Sequence, residues 1–219
     1  MILKALSLAP SFSRTALGLV ALSLSLAAAA CGGSSDTGGM GGSGGSGGST
    51  GSAMTAGSDL DGTWETACYQ KTRTSLAYDH LAFTGTFTEY GDDACSAASA
   101  YHVSKWTGTV TVTGATAAGD TKIDLAFATF TSVALTEENA AFNNTNAYCG
   151  LTDWAANVEK DILGKDCYGF SIPVGGKSLD IYRVDGATLK FGQGSKIGTD
   201  VVEADRPTAI DEARVFTKK

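Results

Sequence analysis

In Leu81–Tyr90, LAFTGTFTEY, the apolar residues Leu81, Phe83 and Phe87 share one parity and threonines take the other. Alternation with period two puts successive side chains on opposite faces of an extended chain, so this stretch predicts a half-buried β-strand. The pattern recurs. Gly62–Gln70 sets Thr63 and Glu65 against Trp64 and Thr66. Ala100–Gly114 is rich in β-branched and aromatic residues, with Tyr101 and Val103, then Val110 and Val112, between polar neighbours. Thr121–Thr136 alternates Ile123, Leu125 and Phe127 with Lys122, Asp124 and Ala126. Gly91–Ser99 and Ala117–Asp120 carry turn residues. Near the C-terminus, KSLDIYRV and ATLKFG flank Asp185-Gly186. That pair predicts a type I′ hairpin turn, whose central residues both need positive φ. Glu212–Lys218 predicts a last strand.

Glu137–Cys167 has no clean period of two. Its spacing predicts a short helix near Glu137–Phe142, with two acids in the first turn. A second helix is expected near Asp153–Leu163, where Trp154, Val158 and Ile162 fall at i, i+4 and i+8. The whole reads as eight or nine strands without βαβ alternation. The expected fold is all-β and antiparallel, a barrel or a sandwich.

The first 58 residues follow another logic. Lys4 and Arg14 precede an apolar run, Ala16–Ala27, and small residues lead to Cys31. This is the layout of an export signal over residues 1–30, too short to span a bilayer comfortably. It resembles a bacterial lipoprotein signal, although Ala28 stands where that family usually has Leu. The resemblance implies cleavage before Cys31 and acylation of its thiol, for example by palmitate, which anchors the mature chain to a membrane of the cell envelope. Residues 32–58 contain 12 glycines among 27 positions and predict a disordered tether, with an r.m.s. reach of roughly 30 Å. One domain, 59–219, follows.

Charge narrows the partners. Removing Lys4 and Arg14 with the leader leaves 14 basic against 23 acidic residues, a net charge of −9. Without a basic run, nucleic acid is not an expected partner. Besides Cys31 there are Cys68, Cys95, Cys149 and Cys167. An even number in an exported chain reads as disulfides, and the sequence-local choice is Cys68–Cys95 with Cys149–Cys167. Zinc is not expected, for no C-x-x-C spacing is present. Asp59-Leu60-Asp61-Gly62 is only a fragment of a calcium loop.

Gly62-Thr63-Trp64 resembles the G-x-W of the lipocalin and wider calycin barrels, and Leu179-Asp180-Ile181-Tyr182 loosely matches their T-D-Y. The resemblance implies an eight-stranded up-and-down barrel whose narrow end Trp64 closes, with Arg214 packed across the indole. It also implies a cup for a small hydrophobic ligand, and Phe83, Phe87, Tyr101, Trp106, Phe127 and Phe130 have the residue types to line one. The alternative is a filled barrel that contacts protein or glycan partners through surface loops, above all Asn139–Trp154. No cofactor, metal or catalysis is expected. No P-loop, H-E-x-x-H or nucleophile elbow is present in the domain. An enzyme would need acids such as Asp153 and Asp161 brought together. His80 and His102 are the only histidines, and both are expected at the surface.

Overall fold

The computed structural model describes residues 59–219, so the leader, Cys31 and the tether lie outside the described residues. Nine strands form: β1 (Gly62–Thr66), β2 (Thr72–Asp79), β3 (Ala82–Tyr90), β4 (Ala100–Ala115), β5 (Thr121–Ala134), β6 (Glu159–Asp161), β7 (Lys177–Asp185), β8 (Thr188–Phe191) and β9 (Phe216–Lys218). A helix, α1 (Glu137–Thr145), follows β5. Eight strands close on themselves in the order β1-β2-β3-β4-β5-β7-β8-β9, every neighbour antiparallel. β6 lies outside this ring, paired to β5 at Thr131–Val133. The fold is a closed antiparallel barrel of the lipocalin-like kind. Closure leaves the ring no free edge.

At the closed end Trp64 is fully buried and donates its indole N–H to the Leu60 carbonyl at 2.7 Å. The cation above its ring is Lys218, with Nζ 5.0 Å from the centroid. Arg214, expected there, sits four residues earlier against Phe216, whose ring centroid is 5.9 Å away. The register explains the exchange: β9 pairs Lys218 with Trp64 and Phe216 with Thr66. Gly62 is required here. Its φ is +117°, and a Cβ would meet Lys218 Cε at 3.0 Å.

Several expectations shift. β2 was not foreseen, because its inward positions, Thr74, Leu76 and Tyr78, include a buried polar residue that blurs the alternation. On β4 the inward set is His102, Ser104, Trp106, Gly108 and Val110. Tyr101 is an extra residue where Glu89 faces His102 and Tyr90 faces Ala100, which takes it out of the ladder, and Val103, expected inward, has the outward parity opposite Thr88. A second bulge at Ala128 lets Phe127 and Phe130, three apart, both point inward. The β7–β8 turn is Gly186-Ala187, and Gly186 alone has positive φ, so it is not type I′. The helix expected at Asp153–Leu163 is absent. Trp154 and Ile162 are buried there, but Val158 is exposed and the chain runs into β6. β9 is three residues long, not seven.

The interior is packed by two reciprocal fits. Trp106 lies across Gly85, where a Cβ would fall 2.0 Å from the indole. Phe83 lies across Gly108, where a Cβ would fall 2.6 Å from its ring. Phe83 meets Phe127 edge-on at 5.7 Å.

Candidate functional site

The two ends of the barrel differ in kind. At the Trp64 end the strands join by short turns. At the other, four long connections gather: 67–71, 91–99, 135–176 and 192–215. Cys68–Cys95 ties the first two together and Cys149–Cys167 folds the third on itself, the pairing expected from sequence. Seven non-glycine residues of this end, Gln70, Lys71, Cys95, Ala147, Cys149, Asn157 and Tyr168, hold left-handed φ between 47° and 62°. Such conformations cost free energy and persist only where the surroundings enforce them.

Of the six aromatic residues expected to line a cup, Phe83, Phe87, Trp106, Phe127 and Phe130 are buried in one continuous core. Tyr101 stands on its bulge, half-buried. Asp153 and Asp161 do not converge on a shared site. Asp153 pairs with Lys160 at 2.7 Å, and Asp161 accepts from the Leu163 N–H.

His102 is 3% exposed, which corrects the expected surface position. Ser132 Oγ lies 2.7 Å from its Nε2 and Asn139 Oδ1 lies 3.1 Å from its Nδ1. α1 positions that asparagine, since Thr136 caps the helix by accepting from the Asn139 N–H. Burial pushes the imidazole down to about 4, so it is neutral at pH 7. The Ser132 hydroxyl then donates to Nε2, and Nδ1–H donates to Asn139. This has the connectivity of a nucleophile, base and orienting group. Ser132, however, has no exposed surface, so the trio ties α1 to the barrel. His80, in contrast, is exposed and held by Asp61, which accepts its backbone N–H at 2.8 Å and lies 3.1 Å from Nδ1.

Tyr148 packs edge-on against His102 at 5.5 Å and touches Trp154 and Tyr168 at 5.6 and 5.4 Å. Facing this aromatic group is Glu89, the last inward residue of β3, opposite His102. Burial alone pushes its carboxyl up to about 7. Its charge in turn raises the phenols of Tyr101 and Tyr148, adding to their burial. On the far side of β2, Arg214 reaches Thr74 Oγ1 at 3.5 Å, and burial pushes the guanidinium down to about 10.

The connection 192–215 is pinned across β5 and β7. Arg206 donates to the Ile123 and Asp180 carbonyls, both at 2.7 Å, to Asp124 at 2.6 Å and to Glu203. Beneath it Asp180 accepts the N–H groups of Ile181 and Gly192, and burial still pushes it up to about 6.

Sequence reasoning missed Glu89, Ser132 and Arg206, placed His102 at the surface, and gave Asp180 only within a loose family match. Two carried a signal. Glu89 continues the parity of Phe83 and Phe87, and His102 continues that of Val110 counted backwards. Arg206 carried none, since its partners are backbone carbonyls remote in sequence.

No family model matches the chain, and no curated protein matches it.

Proposed function

We propose that this protein is a lipid-anchored component of a bacterial cell envelope, non-catalytic, whose filled barrel is a rigid support and whose loop end recognises a partner. The observation that carries the reading is the division of labour within the domain. Phe83, Phe87, Trp106, Phe127 and Phe130 pack against one another and leave their chemistry spent in the core. Most of the left-handed non-glycine backbone and both disulfides collect in the long connections at the opposite end from Asp59. This favours contact through the loops over a small hydrophobic ligand in the barrel.

Two experiments test it. Cys31→Ser should release the exported chain from the membrane fraction, whereas continued membrane association would remove the anchor. Native mass spectrometry of the full chain, incubated with fatty acids and sterols, should give an unliganded mass. A stoichiometric apolar adduct would restore the hydrophobic cup.

A further inference from the structure

The turn after α1, residues 147–150, is seated against the barrel mouth by one aromatic ring. Tyr148 packs edge-on against His102 of β4 at 5.5 Å, and the charge of Glu89, the residue opposite His102 on β3, acts on its phenol. The turn itself is strained: Ala147, Cys149 and Gly150 hold φ of 47°, 54° and 71°. Long hydrogen bonds tie it to its neighbours. The Trp154 indole N–H donates to the Tyr148 carbonyl at 3.3 Å, and the Tyr168 hydroxyl to that of Asn146 at 3.5 Å. α1 is fastened separately, by Asn139 on His102 and by Asn144 on the Trp154 N–H. The turn can therefore lift while α1 stays, carrying Cys167 and Tyr168 with it through Cys149.

Among the described residues no hydrogen bond or ion pair reaches the Glu89 carboxyl, and burial is all that shifts its titration. The groups that face it are uncharged: the Tyr101 phenol and the His102 imidazole from β4, the Tyr148 phenol from the turn and the Thr72 hydroxyl from β2. Cations on and around β2 are engaged elsewhere. Lys71 donates to the Gly91 carbonyl, Arg73 meets Glu65 and the Tyr90 ring, and Arg214 answers to Asp211. A carboxylate in such a seat costs free energy that water would remove, and lifting the Tyr148 ring lets water in.

Taking the loop end as the recognition surface, we infer that the Tyr148 turn is a proton-controlled latch on it, seated over the protonated Glu89 carboxyl and released when that carboxyl ionises. Release brings Tyr148 to the surface and moves Tyr168, so pH sets which aromatic face a partner meets. The direction follows from linkage. With the turn lifted Glu89 has the ordinary value of ~4.3, and with it seated about 7. Protons favour the seated form, so release grows about 10-fold per pH unit between those values and levels off above them.

The test is hydrogen exchange followed by NMR on the full mature chain, disulfides formed, at pH 4.5 and 7.5, each rate divided by its unstructured value. The reporters are the Gly150 and Leu151 amides, bonded within the turn, and the Trp154 indole N–H. In the wild type they should exchange by a local opening, faster than the Trp106 and Val110 amides of β4. At pH 7.5 Glu89→Gln should slow them roughly 100-fold, and at pH 4.5 by about 3-fold at most. Protonation of His102 is common to wild type and variant at each pH and drops out of the comparison. Glu89→Met, similar in length and uncharged, repeats the measurement if the amide disturbs the seat. An equal effect at both pH values, or none at pH 7.5, would overturn the inference. So would reporters that exchange only as fast as β4, since the turn would then have no opening of its own. None of these outcomes touches the recognition reading beneath it, which falls to an apolar adduct inside the barrel.

Discussion

Glu89 shows what one residue does to the stability curve. Its folded carboxyl is raised to about 7, against ~4.3 in an unfolded chain. The folded state therefore holds this proton more tightly, and the ionised group subtracts stability above pH 7. The cost fades as pH falls through 7 and is gone below the unfolded value. Glu89→Gln should gain about 2–3 kcal/mol over wild type at pH 8 and almost nothing at pH 4. Urea denaturation at the two pH values checks this, and an equal gain at both would reject it. His102 acts with the opposite sign. Its folded value, about 4, lies below the unfolded ~6.5, so stability is lost as pH falls through that window. His102→Gln should flatten the acid limb in the same assay. Gly85 is a purely steric case. A methyl group there must displace the Trp106 indole, so Gly85→Ala should cost on the order of 1–3 kcal/mol, the range for overpacking, visible as a lower melting temperature.

At the scale of elements, β3, β5, β7 and α1 were legible in the sequence because their patterning is local. β3 keeps one parity from Phe83 to Glu89, and α1 announces itself by Thr136 followed by Glu137 and Glu138. β2 and the tail were not. β2 buries Thr74 on its inward face, and its pairing with β1 and β3 defines it more than its composition does. Trp154, Val158 and Ile162 counterfeit a helical stripe, but Trp154 N–H is captured by Asn144 Oδ1 at 2.6 Å and β5 draws Glu159–Asp161 into a ladder. The site divides the same way. The cysteine pairs could be read from spacing, whereas the contacts of His102 with Ser132 and Asn139 need the barrel and α1 to assemble first. The 135–176 connection depends on Cys149–Cys167, beside which Cys149 itself and Tyr168 hold left-handed backbone. Removing both cysteines by substitution with Ala should cost on the order of 3 kcal/mol. It should also free the Tyr148–Trp154 contact, read as a change in near-ultraviolet circular dichroism with the β-sheet signal kept. Loss of the whole barrel would mean that the connection folds with the strands and is not laid over them.

At the scale of the molecule, closure depends on three residues. β9 bridges β1 and β8, and within it Phe216 is fully buried while Lys218 covers Trp64. The barrel is thus completed by β9, without which β1 and β8 each keep an open edge. Deleting residues 216–219 leaves β1 and β8 as edges and removes the lid from Trp64, and should abolish the cooperative transition. Trp64→Ala empties the same place from within, at ~3–5 kcal/mol. Which cation serves the indole is separable from both. Lys218→Met keeps the methylene chain near Gly62 and removes only the charge. It should cost ~0.5–2 kcal/mol, the worth of a cation over an aromatic face. Arg214→Met should leave the packing around Trp64 unchanged, because its guanidinium lies over Phe216 instead. Tryptophan emission assigned by difference against Trp64→Phe reads the two apart. If Arg214→Met perturbed Trp64 and Lys218→Met did not, the register of β9 would have to slide by four residues. One short strand therefore fixes the closed end through Lys218 over Trp64, and through Phe216 it seats the connection ahead of it, where Arg214 lies over the Phe216 ring.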